Sequence, residues 1–312
     1  MIGSISGGQP PHDDEKDKPV EKKPEEKQPA EQQLPDDEKK AAPHSPRTNR
    51  RYGWRPQPPS PKDWKFKPRI EKEKLSVFKN LHSLCKTVFD QLQEGSCVSN
   101  GVVDMMMMCM TIQKKAQVTL SRNFLYYNAR LIEGTAAIDA GLIPRDAFAS
   151  AATTGVVTED LWPYNVQTLY TPPPASLYAL SGKHRITSYL AVSQDLTSML
   201  QCIEEGYPFG FGFSVFESFE SEAVATSGNA PMPSPGNDPF VGGHFVVAIG
   251  QNQGPDRRFE DGTIWPSRTF LCQHSWGPNW GMRSMAGCFT IPFDYVISPA
   301  LASDIWTIRA DT

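Results

Sequence analysis

The chain has 312 residues, 39% of them hydrophobic, and its 31 lysines and arginines against 35 aspartates and glutamates give a net charge of −4. At roughly 150 residues per domain this length allows two domains or one large two-lobed one, and the slight acidic balance excludes the cationic field that nucleic-acid binding needs. No apolar run approaches the ~20 residues that cross a bilayer, because Val102 to Ile112 is broken by Asp104, so neither nucleic acid nor a membrane is an expected partner.

The opening Met-Ile-Gly-Ser-Ile-Ser-Gly-Gly has neither the basic start nor the apolar stretch of a secretory signal, which leads to the expectation of an intracellular protein. Residues 1 to 51 hold charged runs such as Glu21-Lys22-Lys23-Pro24-Glu25-Glu26-Lys27 and no Cys, Trp, Phe or Tyr. Such a segment buries too little apolar surface to offset its conformational entropy and is expected to be disordered. Of the 28 prolines, 13 precede residue 69 and favour extended chain there. Aromatics begin at Tyr52-Gly53-Trp54 and continue at Asp63-Trp64-Lys65-Phe66, a pattern that reads as an extended strap over a globular body.

Ser96 to Lys114 is predicted as a buried helix, with Ser96 placed to cap it and Val102, Val103, Met105, Met106, Met108 and Cys109 apolar on most sides. Its four consecutive methionines are assigned to core packing. Helices are also predicted over Ser121 to Glu133, Pro144 to Thr153 and Gln194 to Glu205. Phe209 to Phe216, His244 to Gly250, Thr269 to His274 and Gly287 to Ile291 are predicted as short strands between turn residues. Helices first and strands second imply an α+β fold with a helical lobe against a small, antiparallel, barrel-like β lobe. The six cysteines form no CxxC pair, so free thiols are expected and no metal or cofactor is implied.

Asp90-Gln91-Leu92-Gln93-Glu94-Gly95-Ser96-Cys97 stands immediately before the buried helix. A cysteine on a first helical turn faces unpaired N–H groups and the positive end of the helix dipole, which favour thiolate, so Cys97 is the candidate nucleophile. Gly95 allows close approach of a substrate, and Gln91 can offer its amide N–H to an oxyanion beside the Cys97 N–H. His244 enters an apolar strand after Gly242-Gly243 and is the candidate general base and imidazolium partner. Gln273-His274-Ser275-Trp276-Gly277-Pro278-Asn279-Trp280-Gly281 places two tryptophans four apart, suited to roofing a polar contact.

Gln91 through Cys97, Gly243-His244 and Ser275 through Gly281 resemble, in chain order, the three signature blocks of papain-like (cathepsin-like) cysteine peptidases, in particular the branch found in bacteria and large DNA viruses. The resemblance covers residues 52 to 312, about 52–190 as a mainly helical lobe and about 191–312 as a mainly β lobe. It implies an active-site cleft between the lobes, a polypeptide substrate, attack by Cys97, protonation of the leaving amine by His244, and an oxyanion hole that includes Gln91. It also implies substrate contacts at Gly95, Ser96 and Gly243, pairing of an extended substrate with backbone around Gly141, and shielding of the third catalytic position by Trp276 and Trp280. A viral source would place the protein in a host cytoplasm or in a virion.

Three departures qualify that picture. His274 stands where the family has asparagine; neutral, it accepts a hydrogen bond from the catalytic imidazole, whereas protonated it opposes the His244 imidazolium. Activity is therefore expected to fall on acidification through the ordinary histidine range near 6.5. Glu94 replaces a disulfide cysteine and Val98 replaces an aromatic. The extended tail, residues 1–51, is expected to thread into the cleft as an inhibitor. The competing expectation is a papain-like scaffold without turnover, a binding or virion structural protein. Asp139 and Asp146 read as turn and helix-cap groups, and Ser214 and Phe216 as part of a substrate wall.

Overall fold

The computed structural model describes residues 51–234 and 236–311, all within one unit of the chain. In chain order the elements are β1 (Phe78–Asn80), α1 (Cys97–Ile112), α2 (Arg122–Ile132), α3 (Pro144–Thr153), α4 (Ala175–Ser181), β2 (Ile186–Ala191), α5 (Leu196–Glu204), β3 (Phe209–Phe216), α6 (Glu222–Ser227), β4 (Phe240–Asn252), β5 (Arg257–Arg258), β6 (Ile264–Trp265), β7 (Thr269–Gln273), β8 (Cys288–Pro292), α7 (Phe293–Ile297) and β9 (Ala302–Asp311). The α+β order expected from the residues is present.

Apolar on most sides, with Ser99, Asn100 and Asp104 also enclosed, α1 is buried from Cys97 through Met110. It lies against β4 closely enough that a Cβ on Gly101 would come within 2.8 Å of the Phe245 ring. Met105 to Met108 are all buried core residues. Around α1, Ser121 caps α2 by accepting from the Phe124 N–H, and α3 starts at Pro144, whose fixed φ suits a first helical turn.

The main sheet is antiparallel throughout and runs β2-β9-β3-β4-β7-β8, with β1 added to the far end of the long β4. Its outer strands β2 and β8 do not pair, so the β lobe is an open sheet and not a closed barrel. Phe209, Phe211, Phe213, Phe245, Phe270 and Phe289 fill its core, each burial contributing about 1.5–3 kcal/mol. Register brings Phe213 opposite His244 and Ser214 opposite Gly243, which fixes the histidine on β4 beside β3.

Candidate active site

Cys97 opens α1 and is fully buried. Ser96 occupies the cap position but its side chain does not cap; its hydroxyl lies 2.7 Å from the Tyr164 hydroxyl and accepts from Asn100 Nδ2 at 3.0 Å. The first-turn N–H groups of Cys97 and Val98 are thereby left to the Cys97 sulfur, joined by the N–H of Phe245, next to His244, and that of Gly53. Burial raises the thiol to about 11 against these four donors, so in this covered state the sulfur is held as thiol.

The loop before Cys97 is tied down from several sides. Gln91 donates from Nε2 to the Glu94 carbonyl at 2.8 Å and accepts at Oε1 from the Ser275 hydroxyl at 2.6 Å, while its N–H donates to the Ser275 carbonyl. Arg122 donates to the Asp90 carbonyl and to Asn100 Oδ1, and stacks on Tyr164 at 3.8 Å. Asp139 accepts the Gly95 N–H on both carboxylate oxygens, at 3.1 and 3.0 Å, and the Tyr126 hydroxyl. The plain turn role expected for Asp139 is thus corrected: it anchors the loop before Cys97. Glu94, 2% exposed, lies beside it, and burial first, with the Asp139 charge adding to it, pushes the Glu94 carboxyl up to about 7.

His244, buried on β4, stacks on Trp276 with ring centres 4.9 Å apart. His274 follows β7, its ring centre 6.5 Å from that of His244, edge-on to Trp276 at 5.2 Å and to Trp280 at 4.3 Å. The two tryptophans meet at 5.0 Å and 88°, so indole surface encloses both imidazoles. Gln273 turns away, donating to the Thr87 carbonyl at 2.8 Å. Cys97, Gln91, Gly95, Ser96, His244, Gly243, His274, Trp276 and Trp280 therefore lie in one connected site.

A strap of the chain itself fills the cleft. Gly53 packs on Gly95 so tightly that a Cβ would stand 1.7 Å from the Gly95 carbonyl oxygen, and it presents its N–H to the Cys97 sulfur. The Arg51 carbonyl takes the Gln91 Nε2 donor at 3.2 Å. Trp54 N–H donates to the Gly243 carbonyl, and Leu142 exchanges bonds with the Gly53 carbonyl and the Arg55 N–H. The backbone pairing expected around Gly141 thus runs through Leu142, while Gly141 packs under Gly53. Carboxylates hold the strap's side chains: Asp139 pairs with Arg51 at 3.2 Å, Glu220 accepts from Tyr52, Asp304 accepts from the Trp54 indole at 3.1 Å, and Glu133 pairs with Arg55. The sequence reading expected an inhibitor within residues 1–51 and missed Glu133, Glu220 and Asp304; the occupying segment is Arg51 to Arg55, and residues 1–50 lie outside the described residues. The segment coincides with the start of the extended strap read at Tyr52-Gly53-Trp54, whose place beside Cys97 that reading did not give.

Ser214 lines a cavity of about 240 Å³ beside Trp54, together with Phe240, Leu301 and Ala302, whereas Phe216 meets Phe240 edge-on and is not in the lining. Among the described residues no group of three or more His, Cys, Asp or Glu is arranged to hold a metal ion, and no helix is long and apolar enough to cross a membrane.

Comparison with known proteins gives the family and the fold. An uncharacterised peptidase C1-like protein of Acanthamoeba polyphaga mimivirus is 31% identical over 232 residues, 72% of this chain and 70% of that protein. Xylellain, a cysteine protease from Xylella fastidiosa, superposes with a TM-score of 0.73 at 28% identity, over 84% of this chain and 97% of its own. Procathepsin B S9 from Trypanosoma congolense, at 14% identity and a TM-score of 0.61 over 84% of this chain and 86% of its own, shares the fold. The family model for papain family cysteine proteases matches residues 77–291, a span that holds the Cys97 loop, His244 and His274, and the chain belongs to that family.

Proposed function

We propose that the protein is a cysteine endopeptidase that hydrolyses peptide bonds through Cys97 and His244, and that the Gly53 strap keeps it inactive until displaced. The observation that carries this reading is that Gln91 of the loop leading to Cys97 bonds Ser275, whose neighbour Trp276 stacks on His244 and meets His274 edge-on, so that the three blocks join in one site. With the strap gone, a substrate carbonyl takes the place of the Arg51 carbonyl at Gln91 Nε2. The Cys97 thiolate attacks its carbon, the oxyanion is held by Gln91 and the Cys97 N–H, and His244 protonates the leaving amine and then activates water. His274, under Trp280, positions the His244 imidazole. The structural neighbours include a procathepsin, in keeping with a chain that carries its own cover.

Intact-mass labelling with iodoacetamide across pH 4 to 8 tests the pair, using the full chain with the strap displaced by Gly53→Val. Cys97 is expected to react first among the six thiols, at least tenfold faster with His244 present than in His244→Ala. Labelling spread over several cysteines with no His244 dependence would move the reading to a scaffold without turnover. In the same strap-displaced chain, His274→Asn is expected to shift the acid limb of kcat/KM down by about one pH unit, because a second cation near His244 is removed. An unmoved limb would take His274 out of the mechanism.

A further inference from the structure

Two segments distant in sequence flank the strap beside Cys97: the loop through Gly95, and the turn 139–142, whose Leu142 exchanges backbone hydrogen bonds with the strap. No disulfide joins them, since all six cysteines are free. A run of hydrogen bonds does so instead. The Gly141 N–H donates to the Tyr126 hydroxyl at 3.1 Å, that hydroxyl donates to Asp139 Oδ1, and the Asp139 carboxylate accepts the Gly95 N–H at 3.1 and 3.0 Å. These groups meet at one point: a Cβ on Gly95 would stand 3.0 Å from Asp139 Oδ1, 3.4 Å from the Tyr126 hydroxyl and 3.5 Å from the Gly141 nitrogen. Tyr126 is fully buried and the Asp139 side chain is 3% exposed, so water competes little for the bridge. Burial first, with the Asp139 charge adding to it, raises the Tyr126 phenol, which stays a donor. Arg130, also buried, lies over the Tyr126 ring at 4.1 Å and donates to the Ile138 carbonyl at 2.6 Å, holding the turn from behind.

One end of the bridge fixes backbone two residues before Cys97; the other fixes the left-handed Gly141, φ 72°, from which the chain enters Leu142. The bridge therefore sets how far the backbone edge that pairs an extended chain stands from the sulfur. The strap uses that edge now, and a peptide in its place uses the same one. We infer, resting on the peptidase reading, that Tyr126 and Asp139 are positioning residues that hold the Leu142 edge and the Cys97 loop in register, so that a bound peptide carbonyl arrives at attacking distance. Neither residue touches the reacting atoms. A misplacement of about 1 Å costs on the order of 100-fold in rate, so a brace of this kind has a large effect through small distances. The bridge does not depend on the strap: Arg51 pairs with Asp139 Oδ2, whereas Tyr126 donates to Oδ1.

The test uses the full chain with the strap displaced by Gly53→Val and compares three rates at Cys97. Alkylation by iodoacetamide needs no backbone edge; alkylation by an extended peptidyl chloromethyl ketone, and hydrolysis of a peptide of the same sequence, do. Tyr126→Phe keeps the ring and removes the hydroxyl, and both peptide rates are expected to fall about tenfold or more while the iodoacetamide rate stays within about twofold. Asp139→Ala should act in the same way. Asp139→Asn keeps a carbonyl oxygen for the Tyr126 hydroxyl and the Gly95 N–H, and its peptide rates should lie within about threefold of the strap-displaced chain. An equal fall in all three rates would reduce the pair to a support of the fold, and unchanged peptide rates would leave it no role in register; either result overturns the assignment, as would Asp139→Asn no better than Asp139→Ala. The expected pattern in ketone alkylation, with no hydrolysis even before Tyr126 or Asp139 is changed, would retain the register role and remove the peptidase reading. Should Asp139→Ala not fold, the contrast between Tyr126→Phe and Asp139→Asn decides.

Discussion

Gly53→Val is expected to raise the rate of Cys97 alkylation at pH 7 by about 100-fold or more. A Cβ at residue 53 would stand 1.7 Å from the Gly95 carbonyl oxygen and 2.3 Å from its carbon, and both obstacles are backbone, so neither can swing aside. What must give is the strap, whose Arg51–Asp139 ion pair is half open to solvent and contributes about 1 kcal/mol or less. Its departure removes the body that packs over the sulfur. The thiol, now pushed up to about 11 by burial, falls towards its ordinary range while the first-turn N–H groups remain. Two pH units in that fall convert to a hundredfold gain in thiolate at neutral pH. Gly53→Ala should act in the same direction, and peptide hydrolysis should rise in parallel. Equal alkylation rates in parent and variant would mean that the strap does not guard the thiol.

The second large effect concerns Glu94, buried within the loop before Cys97. Burial and the neighbouring Asp139 carboxylate raise its pKa from 4.5 to about 7, against smaller opposing contributions from Tyr164, Arg130 and Arg122. The folded protein therefore holds a proton that the unfolded chain releases near 4.5. Stability contributed by that proton is complete below pH 4.5, declines as pH rises towards 7, and is gone above it, a loss of about 3 kcal/mol. Glu94→Gln keeps the shape and cannot ionise. Urea denaturation at pH 4 and pH 8 should find the two chains alike in acid and the variant more stable by roughly 2–3 kcal/mol at pH 8. A constant difference at both pH values would mean that Glu94 is not protonated in the fold. Because the Glu94 carbonyl receives the Gln91 amide at 2.8 Å, ionisation also disturbs the loop that presents Gln91.

The parts of the fold legible in the residues were those with one dominant pattern. Pro144 marks the start of α3, the Phe209–Phe216 run is buried almost throughout as a central strand, and α1 shows its burial in apolar residues on most sides. β9 escaped notice because Ile305, Trp306, Thr307 and Ile308 are all buried, which abolishes alternation, and the left-handed Asp304 accompanies a register shift against β3. β2 carries its own shifts near Ser188. The candidate site was legible where chemistry is local: Cys97 beside its loop, His244 after two glycines, His274 before the tryptophans. The strap's carboxylate partners were not, because Glu133, Glu220 and Asp304 are spread along the chain and meet only through the strap. Asp139 looked like a turn residue because its partners, Gly95 and Arg51, lie 44 and 88 positions away.

Since the strap and the cleft belong to one polypeptide, occupancy of the cleft does not depend on how much protein is present. A short tether holds a ligand at an effective concentration in the millimolar range, so dilution leaves every molecule covered and a competing peptide must exceed that level to enter. Pro56, Pro58, Pro59, Pro61 and Lys62, all exposed, link the strap to Asp63, which Arg145 grips with two bonds of 2.8 Å. One break in that link turns the cover into a separate molecule, free to diffuse away at nanomolar protein, and makes uncovering effectively irreversible.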